Sequence, residues 1–292
     1  MHVRIGTRGS VLAKAQAEQV GQFLQTHDPS ITYELVVIHT KGDRILDRPL
    51  HQIHDKGLFV KEIEQQLLDG KIDLAVHSWK DIPSVLPEGF VLAPVILREN
   101  ARDALVSRKG DFFSLPSGSV VGTGSFRRIL QLKQLRNDLE YKNIRGNILT
   151  RLEKLDSGQY DALVLAEAGL KRIGLEKRIC QTFSAWQCVP AAGQGALAIE
   201  LRKDNDRLFD QLAKLCDEKE NMCVQFERAF LSRMNGSCSI PIGAYMECRE
   251  QEYILYTVFG DPDRIVKTKH AGTDPQQLLE QAVRQTEEAY HG

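Results

Sequence analysis

The 292-residue chain is long enough for two or three domains, and its content of 42% hydrophobic and 26% charged residues is typical of a globular protein with a substantial core. Its 38 basic and 39 acidic residues give a formal charge of −1, which excludes the overall positive field of most proteins that bind nucleic acids or anionic membranes. Binding of an anion would therefore depend on a local cluster of cations.

The sequence also indicates a cellular compartment and bears on metal binding. Residues 1–6 run directly into a strand pattern without the features of a signal peptide, and no run approaches the ~18 apolar residues of a membrane span. We therefore expect a cytoplasmic protein. The cysteines have no Cys-x-x-Cys spacing, which disfavours zinc and disulfides. They lie at positions 180, 188, 216, 223, 238 and 248.

The N-terminal part of the chain alternates between strand and helix patterns. Strands are predicted over 2–5, 31–39 and 72–77, with an amphipathic helix in each interval. This order predicts a parallel sheet with helices on its faces. The nearly continuous apolar run in the second strand favours a strand covered on both faces. The polar loop 40–56 has the length of a lid or a binding loop.

A second unit with the same order of elements follows. Strands over 120–121, 139–144 and 161–166 alternate with helices, and the small residues of 189–196 indicate a hinge or crossover. Two similar α/β domains facing a cleft are therefore predicted. After one more strand and two helices, alternating strands and a closing helix near 275–290 predict a small C-terminal α+β domain. The predicted domains are 1–97 with 196–216, 98–195, and 217–292.

Arginines follow several of the predicted strands. In open α/β sheets, ligands bind beyond the carboxyl ends of the strands, near helix N-termini. Arginine forks bind carboxylates and phosphates in bidentate fashion, so this set indicates a multiply anionic ligand. The alternatives are solvated helix arginines and, for Ser10 and Ser125, plain helix N-caps. The arginines are Arg8, Arg127, Arg128, Arg145, Arg151 and Arg172.

Two further residues have chemical potential. Asp81 follows Ser78-Trp79-Lys80 and precedes a proline, and a carboxylate on such a constrained turn could transfer protons or stabilise a cation. The alternative is a salt bridge to Lys80 or a turn cap. Cys238 lies in a Gly- and Ser-containing turn closed by Pro241, where a thiol could be a nucleophile or an attachment point. The alternative is a structural cysteine.

Taken together, these segments resemble the hydroxymethylbilane synthase family, also called the porphobilinogen deaminase family. The matching segments occur in the order typical of the family and cover nearly the whole chain. Gly9, Trp79, Gly124 and Ser237 stand where other residues are usual. The segments are 7–10, 40–43, 55–62, 77–83, 121–128, 145–147, 168–172, 193–196 and 236–243.

The resemblance implies two domains built like periplasmic binding proteins around a cleft, and a third that carries the cysteine. It implies that Cys238 holds a dipyrromethane through a thioether, as the primer on which four porphobilinogen molecules are deaminated and joined before hydroxymethylbilane is released. Asp81 would be the catalytic carboxylate, and residues 43–56 would form a lid. It also implies a monomer that binds porphobilinogen and its linear oligomers but no metal, nucleic acid or membrane.

The resemblance also assigns a set of residues to the cofactor and the substrate. Their side chains would hold carboxylates or pyrrole N–H groups. Two other classes of protein are weighed against this reading: a periplasmic-type binding protein for a small polycarboxylate, and a cysteine-dependent hydrolase, for which no base can be placed near the thiol. The assigned residues are Arg8, Ser10, Lys56, Ser78, Lys80, Thr123, Gly124, Ser125, Arg127, Arg128, Arg145, Arg151, Arg172 and Gln194.

Overall fold

The structure is a computed structural model that describes residues 1–40, 60–83, 85–234 and 240–292. The predicted lid 43–56, with Lys56, and the predicted attachment residue Cys238 lie outside the described residues. The chain divides into two compact units. They comprise residues 1–98 with 196–221, and residues 99–195 with 222–292.

The described residues form thirteen strands and eight α-helices. The strands are β1 His2–Arg8, β2 Thr32–Ile38, β3 Leu74–Ser78, β4 Phe90–Leu92, β5 Asp103–Ser107, β6 Val120–Gly122, β7 Glu140–Lys142, β8 Ala162–Ala166, β9 Gln181–Thr182, β10 Leu197–Arg202, β11 Gly243–Arg249, β12 Glu252–Gly260 and β13 Ile265–Gly272. The helices are α1 Val11–His27, α2 Lys61–Leu68, α3 Phe126–Leu135, α4 Ile148–Asp156, α5 Glu167–Arg172, α6 Asp206–Ala213, α7 Glu218–Arg233 and α8 Pro275–His291.

The first unit contains a five-stranded sheet in the order β2-β1-β3-β10-β4. Strand β1 runs parallel to β2 and β3, as predicted, whereas β10 is antiparallel to β3 and β4. Helix α1 packs Ala17, Val20 and Leu24 on one face of the sheet, and α2 lies on the other. The prediction that the second strand is covered on both faces is wrong. It is an edge strand in which Val37 is 40% exposed, because β1 occupies the interior position.

The second unit contains two sheets. One has the order β7-β6-β8-β5-β9. Strand β6 runs parallel to β7 and β8, and β5 runs antiparallel to β8 and β9. The other is the antiparallel sheet β11-β12-β13, against which α8 packs Leu279 and Ala282. Tyr256 and Val258 of β12 share a cluster with Ala185, which joins the segment after β9 to the C-terminal sheet. The α/β class with a small C-terminal sheet and helix is confirmed.

The chain leaves the second unit at Gly195. Its backbone has φ +88°, and a Cβ there would lie 2.1 Å from the carbonyl oxygen of Glu99, so a larger residue does not fit without a shift of the backbone. This explains one glycine of the predicted crossover. Among the helices of the described ranges, none is long and apolar enough to cross a bilayer. The same residues contain no group of three His, Cys, Asp or Glu suited to a metal ion.

Candidate functional site

In the first unit, the turn that follows β3 presents Asp81. The backbone N–H of Trp79 donates to the Ala196 carbonyl at 3.1 Å, and the Trp79 side chain is 2% exposed, so the start of the turn is fixed on both sides. A single 3₁₀ turn, Trp79–Asp81, then carries the chain to the surface. The Asp81 carboxylate is exposed and makes no hydrogen bond or ion pair with any described residue. The alternative of a salt bridge to Lys80 is therefore excluded.

Two predicted binding serines of this unit have structural partners. The hydroxyl of Ser10 accepts from the backbone N–H of Ala13 at 3.2 Å and caps α1, so the N-cap alternative is correct for this residue. The Ser78 hydroxyl accepts from Gln16 Nε2 at 2.8 Å, which ties the end of β3 to α1. Arg8 and Lys80, half-buried at the ends of β1 and β3, lie in the same unit. Their roles in binding stay predictions.

A buried polar pair, which the sequence did not reveal, lies beside this turn. His77 Nε2 lies 3.0 Å from Glu200 Oε2, and the two side chains are 6% and 1% exposed. Glu64 of α2 is also buried, and burial followed by the charge of Glu200 raises the pKa of its carboxyl. Because His77 precedes Ser78 in β3, the pair fixes the strand that delivers the turn. Its partner lies 123 residues away in sequence, so local patterns carry no signal for it.

In the second unit, two turns follow β6 and β7. Thr123 is buried and its hydroxyl accepts from the backbone N–H of Ser125 at 3.4 Å. Ser125 stands at the N-cap position of α3, but its own side chain makes no capping hydrogen bond, so the N-cap alternative is wrong here. A Cβ at Gly124 would lie 3.2 Å from Asn143 Oδ1 and from the Ile144 carbonyl. The glycine therefore lets these two turns approach closely.

The turn after β7 positions the next two arginines. Gly146 has φ +114°, a conformation that favours glycine, and Asn147 caps α4 by accepting from the backbone N–H of Thr150 at 3.0 Å. Arg151 Nε donates back to the Gly146 carbonyl at 2.8 Å, while Arg145 is half-buried at the start of the turn. Arg145 thus lies on the turn itself, and Arg151 of α4 is tied to that turn.

Arg127 and Arg128 converge on a buried carboxylate that the sequence did not indicate. Arg127 Nη2 lies 2.8 Å from Asp103 Oδ2, and Arg128 Nη2 lies 2.7 Å from Asp103 Oδ1. Burial alone would raise the pKa of Asp103, but the two guanidinium groups outweigh it and hold that pKa well below its usual range. Arg127 also donates to the Val189 carbonyl, and Arg128 to the Val164 carbonyl at 3.1 Å.

The same cluster includes Gln194 and Cys188. Gln194 Nε2 donates to Asp103 Oδ1 at 2.8 Å and to the Ala101 carbonyl at 2.5 Å. Burial and the Asp103 charge raise the pKa of the Cys188 thiol to about 12, so this cysteine is neutral and unreactive. Arg172 is not a solvated helix residue. Its Nη2 donates to the Gly195 carbonyl at 2.6 Å, and burial lowers its pKa to about 10.

The contrast between the two serines gives a first test. Ser10→Ala should lower the free energy of unfolding by about 1 kcal/mol because an N-cap bond is lost. Ser125→Ala should change it by less than about 0.5 kcal/mol because no capping bond exists. Urea unfolding of both variants measures the difference. Equal losses in the two variants would show that Ser125 also stabilises its helix.

Comparison with known families matches nearly all of this chain. The family model described as "Porphobilinogen deaminase, dipyromethane cofactor binding domain" matches residues 3–210, and the one described as "Porphobilinogen deaminase, C-terminal domain" matches residues 221–286. The chain belongs to the porphobilinogen deaminase family. Curated porphobilinogen deaminases include one from Geobacillus kaustophilus, 48% identical over 96% of this chain and 92% of its own length. Another, from Bacillus pumilus, is 47% identical over 94% of this chain and 90% of its own length.

Solved structures with a related fold come from other proteins. The periplasmic VFT2 domain of Bordetella pertussis BvgS has a TM-score of 0.44 at 16% identity, covering 73% of this chain and 86% of that one. A probable amino-acid ABC transporter binding protein from Bacillus subtilis has a TM-score of 0.44 at 14% identity, covering 80% of this chain and 97% of that one. These scores are too low to assign a function. The porphobilinogen deaminase assignment depends on the family match alone.

The side chains of the second unit suit the carboxylates of a dipyrromethane cofactor. The cluster of Arg127, Arg128 and Asp103 has a net charge of +1. Arg128 Nε is buried and has no hydrogen-bond partner among the residues that the structure describes. The Ser125 hydroxyl is not used for capping. A porphobilinogen deaminase needs cations and donors for a ligand with several carboxylates, and this donor set has that chemistry.

Proposed function

We propose that the protein deaminates four porphobilinogen molecules, joins them head to tail and releases hydroxymethylbilane. The match of residues 3–210 to a dipyrromethane cofactor binding domain supports this proposal most directly. The carboxylate of Asp81, which is exposed and makes no bond within the described part of the chain, supports it from the chemical side. Neither alternative class has a comparable observation in its favour. The three-domain division predicted from the sequence is part of this proposal.

Asp81 is the proposed catalytic carboxylate. Breaking the bond between the aminomethyl carbon and nitrogen of porphobilinogen releases ammonia and leaves a cationic azafulvene. The azafulvene then reacts with a second pyrrole. The α-carbon of that pyrrole forms the new C–C bond with the azafulvene, and this carbon then loses a proton. A carboxylate held on a fixed turn can accept hydrogen bonds from pyrrole N–H groups and stabilise the positive charge in both steps. Because Asp81 makes no hydrogen bond or ion pair with the described residues, its charge is available for this role.

The arginines are proposed to hold the carboxylate arms of the cofactor and of the growing chain. When bound, a dipyrromethane supplies the pyrrole end to which the first porphobilinogen is joined. Arg145 lies on the turn after β7, and Arg151 of α4 is tied to that turn through the Gly146 carbonyl, which reduces the entropy lost on binding. Arg127 and Arg128 are held by Asp103, so we propose that they provide fixed positive charge at the site. Arg128 Nε, which has no partner among the described residues, would be a hydrogen-bond donor. The other assigned residues are Arg8, Ser10, Lys56, Ser78, Lys80, Thr123, Gly124, Ser125, Arg172 and Gln194.

Covalent attachment of the cofactor is proposed at Cys238. Intact-mass spectrometry of the purified protein should show an increment of two pyrrole units, because a thioether survives denaturation. Cys238→Ala should lack the increment and Cys180→Ala, which removes an exposed thiol of the second unit, should retain it. A protein that turns over porphobilinogen without carrying the increment would contradict the attachment.

The family resemblance also supports a proposal for the state of the protein. We infer a monomer that works in the cytoplasm without a metal ion, a nucleic acid or a membrane. Light scattering during size-exclusion chromatography tests the monomer. Unchanged turnover in the presence of a chelator tests the independence from metal.

A further inference from the structure

A cavity of about 290 Å³ lies in the second unit, at the junction of its two sheets. It is lined by the segment 184–186, which follows β9, and by residues of β11, β12 and β13. Its volume is at the lower end of the range for small-molecule sites, so it suits a ligand of one or two rings. None of its lining residues belongs to the set assigned above to the cofactor or the substrate.

The side chains that line the cavity carry a net positive charge. Three are cationic, Arg102, Arg249 and Lys269, and one is acidic, Glu247, which gives 3 − 1 = +2. Glu247 is already engaged, since Arg249 Nη2 lies 2.8 Å and Arg102 Nη2 lies 3.7 Å from its carboxylate. Lys269 makes no salt bridge with any described residue. A neutral chain thus concentrates uncompensated cations in this cavity, which favours an anionic ligand.

Aromatic side chains line the same cavity. Trp186 lines the cavity and is 47% exposed. Indole rings are among the side chains most often found at binding sites. The Lys267 ammonium lies 4.9 Å from the centroid of this indole and donates to the Trp186 carbonyl, which fixes the ring in place. Tyr256 is buried and stacks on Tyr245 with a centroid separation of 6.3 Å. The cavity therefore offers flat apolar surfaces as well as charge.

We propose that this cavity binds a small aromatic ring that carries two carboxylate groups. The ring would stack against Trp186, and the carboxylates would pair with Lys269 and Arg102, so that a dianion balances the charge of +2. The one carboxylate of the cavity, Glu247, is held by two arginines. Asp81 is not among the residues that line the cavity. Porphobilinogen itself belongs to this ligand class, but the inference does not rest on the proposed function.

Isophthalate is a suitable probe because it combines one ring with two carboxylates. The fluorescence of Trp186 should report binding, since the other tryptophan, Trp79, is 2% exposed. In 150 mM salt we expect saturable quenching with a Kd below about 1 mM. Succinate, which lacks the ring, and benzamide, which lacks the charge, should each bind at least about tenfold more weakly.

Four variants separate this site from a general charge effect and from the reaction site. Lys269→Met and Arg102→Met should each weaken isophthalate binding at least about tenfold, because a charge-assisted hydrogen bond is lost. Arg284→Met removes an exposed cation of α8 in the same unit and should leave the Kd unchanged. Asp81→Ala should also leave it unchanged, which distinguishes this cavity from the site of deamination.

Several outcomes would overturn the inference. They are the absence of saturable binding up to about 10 mM isophthalate, equal weakening by Arg284→Met, or loss of the signal in Asp81→Ala. Calorimetry on Trp186→Phe checks the fluorescence, since binding should persist there without the optical change. A protein that binds isophthalate in this way but does not consume porphobilinogen would overturn the proposed function alone.

Discussion

Replacing Asp103 with asparagine should lower the free energy of unfolding by about 3 to 5 kcal/mol, because it leaves two buried arginines without their shared counter-charge. The Asp103 side chain is fully buried, and those of Arg127 and Arg128 are 6% and 8% exposed. The amide retains the shape of the carboxylate, but it has one acceptor oxygen, and its NH2 group would face another N–H donor. The loss therefore includes a hydrogen bond as well as the charge. Urea denaturation followed by circular dichroism measures it.

An exposed pair in the same unit provides the matched control. Arg178 Nη2 lies 2.7 Å from Asp156 Oδ1, with side chains 36% and 53% exposed. Asp156→Asn should cost no more than about 1 kcal/mol, because solvent screens a surface ion pair. Equal losses for Asp103→Asn and Asp156→Asn would contradict the view that burial makes the first cluster critical.

The Asp103 cluster should also affect the acid stability of the protein. Because the folded-state pKa of Asp103 lies below its unfolded value, its contribution is present above about pH 4 and is lost as the pH falls through the folded value. Below about pH 4, the wild-type free energy of unfolding should therefore fall with acidification more steeply than that of Asp103→Asn, by up to about 1.4 kcal/mol per pH unit. Parallel pH profiles would refute this account.

Replacing Asp81 with alanine should reduce kcat for porphobilinogen consumption by at least about 100-fold, because a group that stabilises developing positive charge is lost. The free energy of unfolding should change by less than about 0.5 kcal/mol, since the carboxylate is exposed and makes no bond with the described residues. Stopped-time assays of hydroxymethylbilane formation, paired with urea denaturation, measure both quantities.

Two further variants separate the effect of the Asp81 charge from that of its shape. Asp81→Asn keeps the hydrogen-bond acceptor but loses the charge, so its kcat should fall nearly as far as that of the alanine variant. Glu88→Ala removes another exposed carboxylate of the same unit and should leave kcat unchanged. Substantial activity in Asp81→Ala would mean that another residue is the catalytic carboxylate.

The alternation of strands and helices in the two α/β parts, the α/β class and the family follow from local patterns and short motifs in the sequence, but strands β4, β5 and β9 were not predicted. Residues such as Asp81 could be located because the glycines and prolines around them mark turns at strand ends. Asp103 and Glu200 could not be found in this way. Their partners lie 24 to 123 residues away in sequence, and only the folded sheets bring them together.

The same limit applies to the edge position of β2. An apolar run predicts a strand but not its place in the sheet, because that place depends on which later strand pairs beside it. Here β10 inserts next to β3 from a segment more than a hundred residues downstream. The antiparallel pairing of β10 with β3 and of β5 with β8 was therefore not predicted, although the parallel strands β1, β3, β6 and β8 were. The roles of the individual arginines stay predictions.

The position of β10 has a consequence for synthesis on the ribosome. Strands β3 and β4 do not pair with each other, and β10 lies between them. During translation, the first sheet therefore has unpaired strand edges until residues 197–202 have emerged. By then, all strands of the β5 to β9 sheet have already been made. The second sheet can thus form before the first is complete. Until then, the edge of β3 that pairs with β10 has no partner strand, and an unpaired strand edge is a template for pairing with another chain.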